Sequence, residues 1–302
     1  MIRLLVSIVN YNSYDDTYKL IKFINDKLDT RGFELYFFIV DNGDKKDQPV
    51  FLNKINNIAN FILANKISSL DSKFNYLFDT SNQGFGAAHN IAINHVNNTN
   101  KFDIVWMLNS DLEPDVNCLS SIKKYILESE YNILGSVIFE KEHVIYGTVG
   151  MATFRGYGHP SAKEFKKDII EVDAVSGASM FFKASILKEL KFDENFFMYV
   201  EENDLCYRFG RQGVKSYIVT DSIVYHEGGK TFGNEQALRW YYKVRNLLYF
   251  KRKNGAINVL LIPYLFISTL KNFKLDTCYF RAYFLGLFDY LVGKMGKTKR
   301  EF

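Results

Sequence analysis

Apolar residues in the first 115 positions fall in short continuous runs separated by stretches of helical spacing. LLVSIVN at 4–10, YFFIVDN at 36–42 and DIVWMLNSD at 103–111 read as strands, and 15–28 reads as a helix. Strands apolar on both faces with helices between them predict a mostly parallel sheet covered on both sides, the α/β class. GFGAAHNIAINHV at 84–96 predicts a glycine-rich turn opening a helix, with Ile91, Ile93 and Val96 available for one face. From about 132 to 226 the strands shorten to ILGSVIF, VDAVSGASMFF and SYIVTDSIVYH, with helices expected at 184–190 and 202–212. No linker composition separates the two stretches, so 1–235 is expected as one composite domain with halves at about 1–115 and 116–235. Beyond it, 236–302 is expected as a helical, aromatic and basic extension that begins WYYKVRNLLYFKRKN at 240.

Composition narrows the classes without naming a partner. An apolar share of 47% with 24% charged residues over 302 positions is an ordinary globular balance and excludes disorder and collagen. The net charge of +4 is too mild and too dispersed to argue for nucleic acid. Cys118, Cys206 and Cys278 lie too far apart for a disulfide framework or a zinc ribbon and fit a reducing cytoplasm. The N-terminal MIRLLVSIVNYN lacks a small-residue cleavage site and reads as a first strand, and no run reaches the roughly 18–20 apolar residues of a spanning helix. The 27 Phe and 20 Tyr require a large core or an apolar surface that meets something.

Polar residues gather where strands end: Asn10 and Asn12, Asp41 and Asn42, Asn109 and Asp111. In open α/β sheets ligands bind in the crevice beyond the carboxyl ends of the strands. Asp41 can accept the imide N–H of a uracil or thymine ring, or can cap the turn in VDNGD. Asn82, Gly84 and Gly86 let backbone approach a ligand and bring helix N–H groups near phosphate, or serve the turn alone. Asn109 and Asp111 share a side if the chain stays extended, and Asp111 suits a hard divalent cation, since Mg²⁺ takes one or two carboxylates plus substrate phosphates. His226 is either a second metal ligand or a packing histidine. Glu201, Glu202 and Asp204 follow the aromatic run NFFMYV. They are helix-dipole acids, or one of them is a general base tuned by dry surroundings, and Asp204 is spaced to pair with Arg208.

Taken in order, VSIVNYN, FFIVDNG, SNQGFGAAHN, MLNSD, VSGASMFFKAS, FFMYVEENDLCYR and VYHEGGKT resemble the motif series of family 2 glycosyltransferases with the GT-A fold. The likeness covers about residues 3–250 and is strongest to a bacterial branch that includes rhamnosyltransferases of O-antigen-type surface polysaccharides. It implies an inverting, metal-dependent transfer of a sugar from a nucleotide diphosphate, with Mg²⁺ or Mn²⁺ held by Asp111 and His226. The resemblance places Val9, Asn10, Tyr11, Asp41, Asn82, Gly84, Gly86, Asn109, Ser110 and Asp111 on the nucleotide sugar. It places Gly177, Ala178 and Glu201 on the acceptor side, and Glu202 as the base, with Glu201 and Asp204 as rivals. Asn109 stands where the family often has an acid, and Glu202 where it usually has Asp. The branch suggests dTDP-L-rhamnose as donor; UDP-linked galactose, galactofuranose or N-acetylglucosamine, or a non-catalytic nucleotide-sugar-binding scaffold, are the alternatives. A lipid-diphosphate-linked acceptor at the inner face of the cytoplasmic membrane is implied, so segments 256–300 are expected at a membrane surface or in a homodimer contact.

Overall fold

In the computed structural model all eleven strands among the described residues join one sheet. The described residues are 1–43, 46, 48–56, 58, 62–63, 73–79, 81–140, 143–145, 147, 166–189, 191–226, 234–255, 260–273 and 276–302. The first half runs β1 (Ile2–Asn10), α1 (Tyr14–Asp26), β2 (Phe33–Asp41), α2 (Gln48–Asn56), β3 (Ile62–Leu63), β4 (Phe74–Phe78), α3 (Phe85–Thr99) and β5 (Ile104–Asn109). The second half adds β6 (Leu112–Pro114), α4 (Cys118–Ile126), β7 (Ile133–Glu140), β8 (His143–Ile145), β9 (Ile169–Val172), β10 (Ser179–Lys183), α5 (Glu201–Arg211) and β11 (Ser216–His226). Three helices follow: α6 (Asn234–Lys253), α7 (Leu261–Phe273) and α8 (Thr277–Leu291). The stretch expected as a helix at 184–190 is instead a 3-10 turn over Ala184–Lys188.

The sheet order is β3-β4-β2-β1-β5-β10-β7-β11-β6, with β8 on β7 and β9 on β11. Every pairing of the first half is parallel, as its unbroken apolar runs require. In the second half β10 enters antiparallel between β5 and β7, while β11 lies parallel to β7. Strand alternation divides the core between the two faces. Leu4, Val6 and Ile8 of β1 join Ile104, Trp106 and Leu108 of β5 under α1 and α4. Leu5, Val105 and Met107 point the other way, into a cluster with α3, α5 and Val244, Leu247 and Leu248 of α6. Trp106 stacks on Phe181 at 4.8 Å between centroids, and its indole N–H donates to Ser179 Oγ at 3.0 Å. That bond lets a fully buried Trp sit mid-sheet without an orphaned donor.

Candidate functional site

Parallel pairing aligns the carboxyl ends of β1, β2, β5, β7 and β11 along one edge, because β10 is antiparallel to both β5 and β7. Asn10 pairs with Asp41, Val9 with Asn109, and His226 with Glu140. The antiparallel entry of β10 brings Gly177 and Ala178 to the same edge, where the Asn109 N–H donates to the Ala178 carbonyl at 2.9 Å. The extended alternation expected through Asp111 stops at Asn109: residues 110 and 111 form a turn. That turn carries the chain across the edge so that β6 pairs with β11, Leu112 opposite His226.

Asn10 and Asp41 are fully buried and joined. The Asp41 carboxylate accepts from Asn10 Nδ2 at 2.8 Å, from the Gly43 N–H at 2.9 Å and from the Tyr14 hydroxyl at 3.0 Å. The Tyr76 hydroxyl donates to it as well. Burial and then this bond push the Tyr76 hydroxyl far above its ordinary pKa, so it remains a donor. Asn10 Oδ1 in turn accepts from Thr17 at 2.9 Å and Ser13 at 3.1 Å, and Ser13 Oγ meets Ser110 Oγ at 2.8 Å. With four donors on it and no exposed surface, Asp41 meets a base only if one donor moves aside. Of the three side-chain donors Tyr14, in the first turn of α1, is half-buried, whereas Asn10 and Tyr76 are buried. Val9 is half-buried, whereas Tyr11 is 59% exposed just beyond the end of β1.

Asn82 takes a left-handed φ of 38° and Gly84 a φ of 102° at the N-terminus of α3. A Cβ on Gly84 would stand 2.0 Å from the Phe197 carbonyl oxygen, which accepts from the Phe85 N–H at 2.9 Å. Gly86 likewise leaves room for Phe192. His89 of the same motif belongs to the core: its Nδ1 lies 2.8 Å from Ser7 Oγ and burial pushes it down to about 3, so the ring is neutral.

Asp111 and His226 come together as expected of a pair: Nε2 of His226 is 2.9 Å from Asp111 Oδ2, and Nδ1 is 3.5 Å from Glu140 Oε1. The Asp111 bond chiefly raises the His226 pKa, against burial. Burial acts to raise the Asp111 carboxyl, but the His226 bond and charge, with help from Arg239, hold it below the ordinary carboxylate value. One carboxylate and one imidazole on a half-open edge fit a hard divalent cation that takes its remaining ligands from a diphosphate. Among the described residues no three His, Cys, Asp or Glu side chains form a self-sufficient metal cage.

The three acids of α5 separate sharply. Asp204 is fully buried and spent on Arg208 at 2.8 Å, as its spacing predicted, and on Lys253 at 2.8 Å. That ion-pair cluster is the physical reason against its rival role as base. Glu201 is 5% exposed with Oε2 unpartnered, and burial followed by the neighbouring Glu202 charge raises its pKa well above the ordinary value. Glu202 is half-buried. Burial raises its pKa too, opposed by nearby backbone N–H groups and by Lys243. The site for a Gly177 Cβ lies 3.5 Å from both Glu202 Cβ and the Phe85 ring, so Gly177, Glu202 and the glycine-rich turn share one small space.

The approach to these acids is strained. Phe197 (φ 66°, ψ −59°), Tyr199 (φ 67°) and Val200 (φ 75°) all carry side chains at positive φ. Each such residue costs about 1–3 kcal/mol and persists only where its surroundings impose it. The Met198 N–H closes a tight three-residue turn onto the Phe196 carbonyl at 2.9 Å.

Helix α6 also bears on the edge, which sequence reading missed. Arg239 and Lys243 stand one turn apart: Arg239 acts on Asp111 and on the Tyr199 hydroxyl, and Lys243 Nζ lies 5.6 Å from the Tyr199 ring centroid and acts on Glu202. The i,i+4 pair of cations in RWYYK was the available signal, but a basic run reads equally well as a solvated face.

Residues 5–190 match the profile described as glycosyl transferase family 2, and 104–291 match glycosyl transferase family group 2. A curated relative, the low-salt glycan biosynthesis hexosyltransferase Agl10 of Haloferax volcanii, is 24% identical over 216 residues, 68% of each chain. Similar solved structures include a mannosyltransferase from Pyrobaculum calidifontis bound to GDP-Man and Mn²⁺ (TM-score 0.59, 13% identity, 97% of this chain and 88% of that one). Another is S. aureus TarS with UDP-GlcNAc (0.57, 15%, 96% and 81%). The chain also aligns with 48% of GalNAc-T7, solved with UDP, GalNAc and Mn²⁺, at a TM-score of 0.61 and 13% identity over 83% of its own length.

Proposed function

This chain belongs to glycosyl transferase family 2 and has the GT-A fold, and we propose that it transfers a hexose from a pyrimidine nucleotide diphosphate to a saccharide hydroxyl with inversion. The observation that carries the reading is the placement of two unlike acidic groups: Glu202, half-buried beside Gly177 with burial raising its pKa, and Asp111, 2.9 Å from His226 Nε2 and held below the ordinary carboxylate value. Glu202 takes the acceptor hydroxyl proton as that oxygen attacks the anomeric carbon, and its raised pKa brings it closer to the operating pH, where a base is most effective. Asp111 and His226 would hold Mg²⁺ or Mn²⁺, which supplies charge neutralisation for the diphosphate. Arg239 and Lys243 put further positive charge where the diphosphate leaves, a contribution that grows as charge develops. Asn109, Tyr11 and the 82–86 turn face the ribose and phosphates, and Asp41 reads the base once Tyr14 yields. The motif likeness makes dTDP-L-rhamnose the first donor to try and a lipid-diphosphate-linked glycan the first acceptor.

The test is a calorimetric and thermal-shift screen of UDP, dTDP, GDP and their sugars with and without Mn²⁺, followed by nucleoside diphosphate release from the donor selected. Glu202→Gln is expected to retain donor affinity and lose about 10²–10⁴ in kcat. Near-normal turnover in that variant would overturn the assignment of the base. Nucleotide-sugar binding without release of nucleoside diphosphate would favour the scaffold reading, and absence of any nucleotide binding by folded protein would overturn the donor site itself.

The same proposal extends to the end of the chain. No helix among the described residues is long and apolar enough to cross a membrane. Helices α7 and α8 pack together, Phe266 against Tyr283 at 5.5 Å, yet leave Tyr264, Ile267, Phe284, Phe288 and Leu291 exposed. Lys271, Arg281 and Lys294 flank that apolar face and are exposed too. Apolar side chains rimmed by cations complement an anionic lipid surface. Co-sedimentation with phosphatidylglycerol vesicles but not phosphatidylcholine vesicles, reduced by Phe288→Asp, is expected. A concentration-dependent dimer that Phe288→Asp dissociates, without vesicle binding, would refute the lipid assignment.

A further inference from the structure

Helix α5 starts on Val200 in a left-handed conformation, and no side chain caps it. The preceding segment instead leans on α6. Asn246 is fully buried, and its Nδ2 lies 2.8 Å from the Phe196 carbonyl, 2.8 Å from that of Met198 and 2.9 Å from that of Tyr199. Arg245 Nε donates to Asn246 Oδ1 at 3.0 Å, which fixes the amide so that both its N–H groups face the segment. Arg245, 1% exposed, also donates from Nη2 to the Phe196 carbonyl at 3.1 Å and from Nη1 to the Gly296 carbonyl at 2.8 Å. Its guanidinium stacks 4.9 Å from the Tyr242 ring centroid.

The other side of the segment meets the glycine-rich turn, since the Phe197 carbonyl accepts from the Phe85 N–H and occupies the space a Gly84 side chain would need. Residues 196–200 are therefore gripped between the turn that faces the donor and a helix of the C-terminal extension, immediately before Glu201 and Glu202. We propose that Asn246, oriented by Arg245, is a positioning residue: it holds residues 196–200 in their strained path and so sets where the Glu202 carboxylate stands relative to the acceptor space beside Gly177. Asn246 does not touch the reacting atoms. It collects three carbonyls that a relaxed path would point elsewhere, and a displacement of about 1 Å at a reacting group can cost about 10²-fold in rate.

The inference rests on Glu202 as the base, and its test separates the two claims. In full-length Asn246→Ala, backbone amides of 198–203 should exchange with deuterium at least about tenfold faster while the sheet strands keep their protection. UDP affinity with Mn²⁺ should stay within about twofold of wild type, and kcat for nucleoside diphosphate release should fall about 10- to 100-fold. Should the alanine variant fail to fold, Asn246→Ser, which keeps one donor, is held to the same pattern with an intermediate loss of kcat. Faster exchange at 198–203 with kcat unchanged, or loss of kcat only in proportion to unfolded protein, overturns the positioning role. An active Glu202→Gln variant overturns the base assignment instead, whatever Asn246→Ala does.

Discussion

Gly84→Ala is the substitution whose cost follows most directly from the structure. The backbone there, φ 102° and ψ −178°, lies in a region open in practice only to glycine, so any side chain carries about 1–3 kcal/mol of strain before it touches anything. The added Cβ would then stand 2.0 Å from the Phe197 carbonyl oxygen, 2.7 Å from its carbon and 2.8 Å from its Cα. Ordinary contact begins near 3.4 Å, and the obstruction is backbone, so the 196–200 segment must retreat by more than an ångström. Retreat breaks the bond from the Phe85 N–H, worth about 1 kcal/mol. The sum is a loss of about 3 kcal/mol, read as a lower urea midpoint at unchanged m, together with a large fall in kcat because Glu202 moves with the segment. Gly177→Ala is the control: its Cβ meets nothing closer than 3.5 Å and its φ is not left-handed, so stability should change by under about 1 kcal/mol. Its methyl group beside Glu202 should raise the acceptor KM. Gly84→Ala within 1 kcal/mol of wild type would refute the description of the turn and of the grip on residues 196–200.

Three further outcomes are expected. Burial and Glu202 raise the pKa of Glu201, so the folded chain keeps a proton that the unfolded chain loses above its ordinary value, and stability falls as pH rises through that window by about 1.4 kcal/mol per pH unit. Glu201→Gln should therefore gain melting temperature over wild type as pH rises above the ordinary carboxylate value, and a pH-independent difference would contradict the burial of that acid. Asp204→Ala leaves Arg208 and Lys253 facing a dry vacancy and should cost about 3 kcal/mol in urea unfolding, whereas a change below 1 kcal/mol would show the ion-pair cluster to be dispensable. Burial pushes the Cys118 and Cys206 thiols up to about 11, so Ellman's reagent at pH 8 should modify only half-buried Cys278 in the native protein and all three thiols in urea.

Strand and helix identity were legible wherever periodicity was strong. The runs at 4–10 and 36–42 became β1 and β2, and the glycine-rich motif became the turn before α3. Helix α4, CLSSIKKYI, buries Cys118, Leu119, Ile122 and Ile126 at helical spacing, but its nine residues are too few for that period to stand out from the flanking chain. The run at 184–190 was too short to tell a 3-10 turn from a helix by pattern alone, because both bury every third or fourth residue.

Amino-acid order alone determined which residues end the strands, and a parallel sheet must gather strand ends at one edge. Asn10, Asp41, Asn109 and His226 were therefore candidates before any coordinates. Which of them face the crevice was a tertiary decision, since Asp41 is enclosed by Tyr14 and Tyr76, side chains from other elements that no local pattern ties to it. The same holds for the acids of α5: helical spacing foretold the Asp204–Arg208 pair, but only folding brought Lys253 to Asp204 and Asn246 to the carbonyls before Glu201. Local spacing fixes direction along a strand or helix, whereas burial, pKa and strain depend on what arrives from distant parts of the chain.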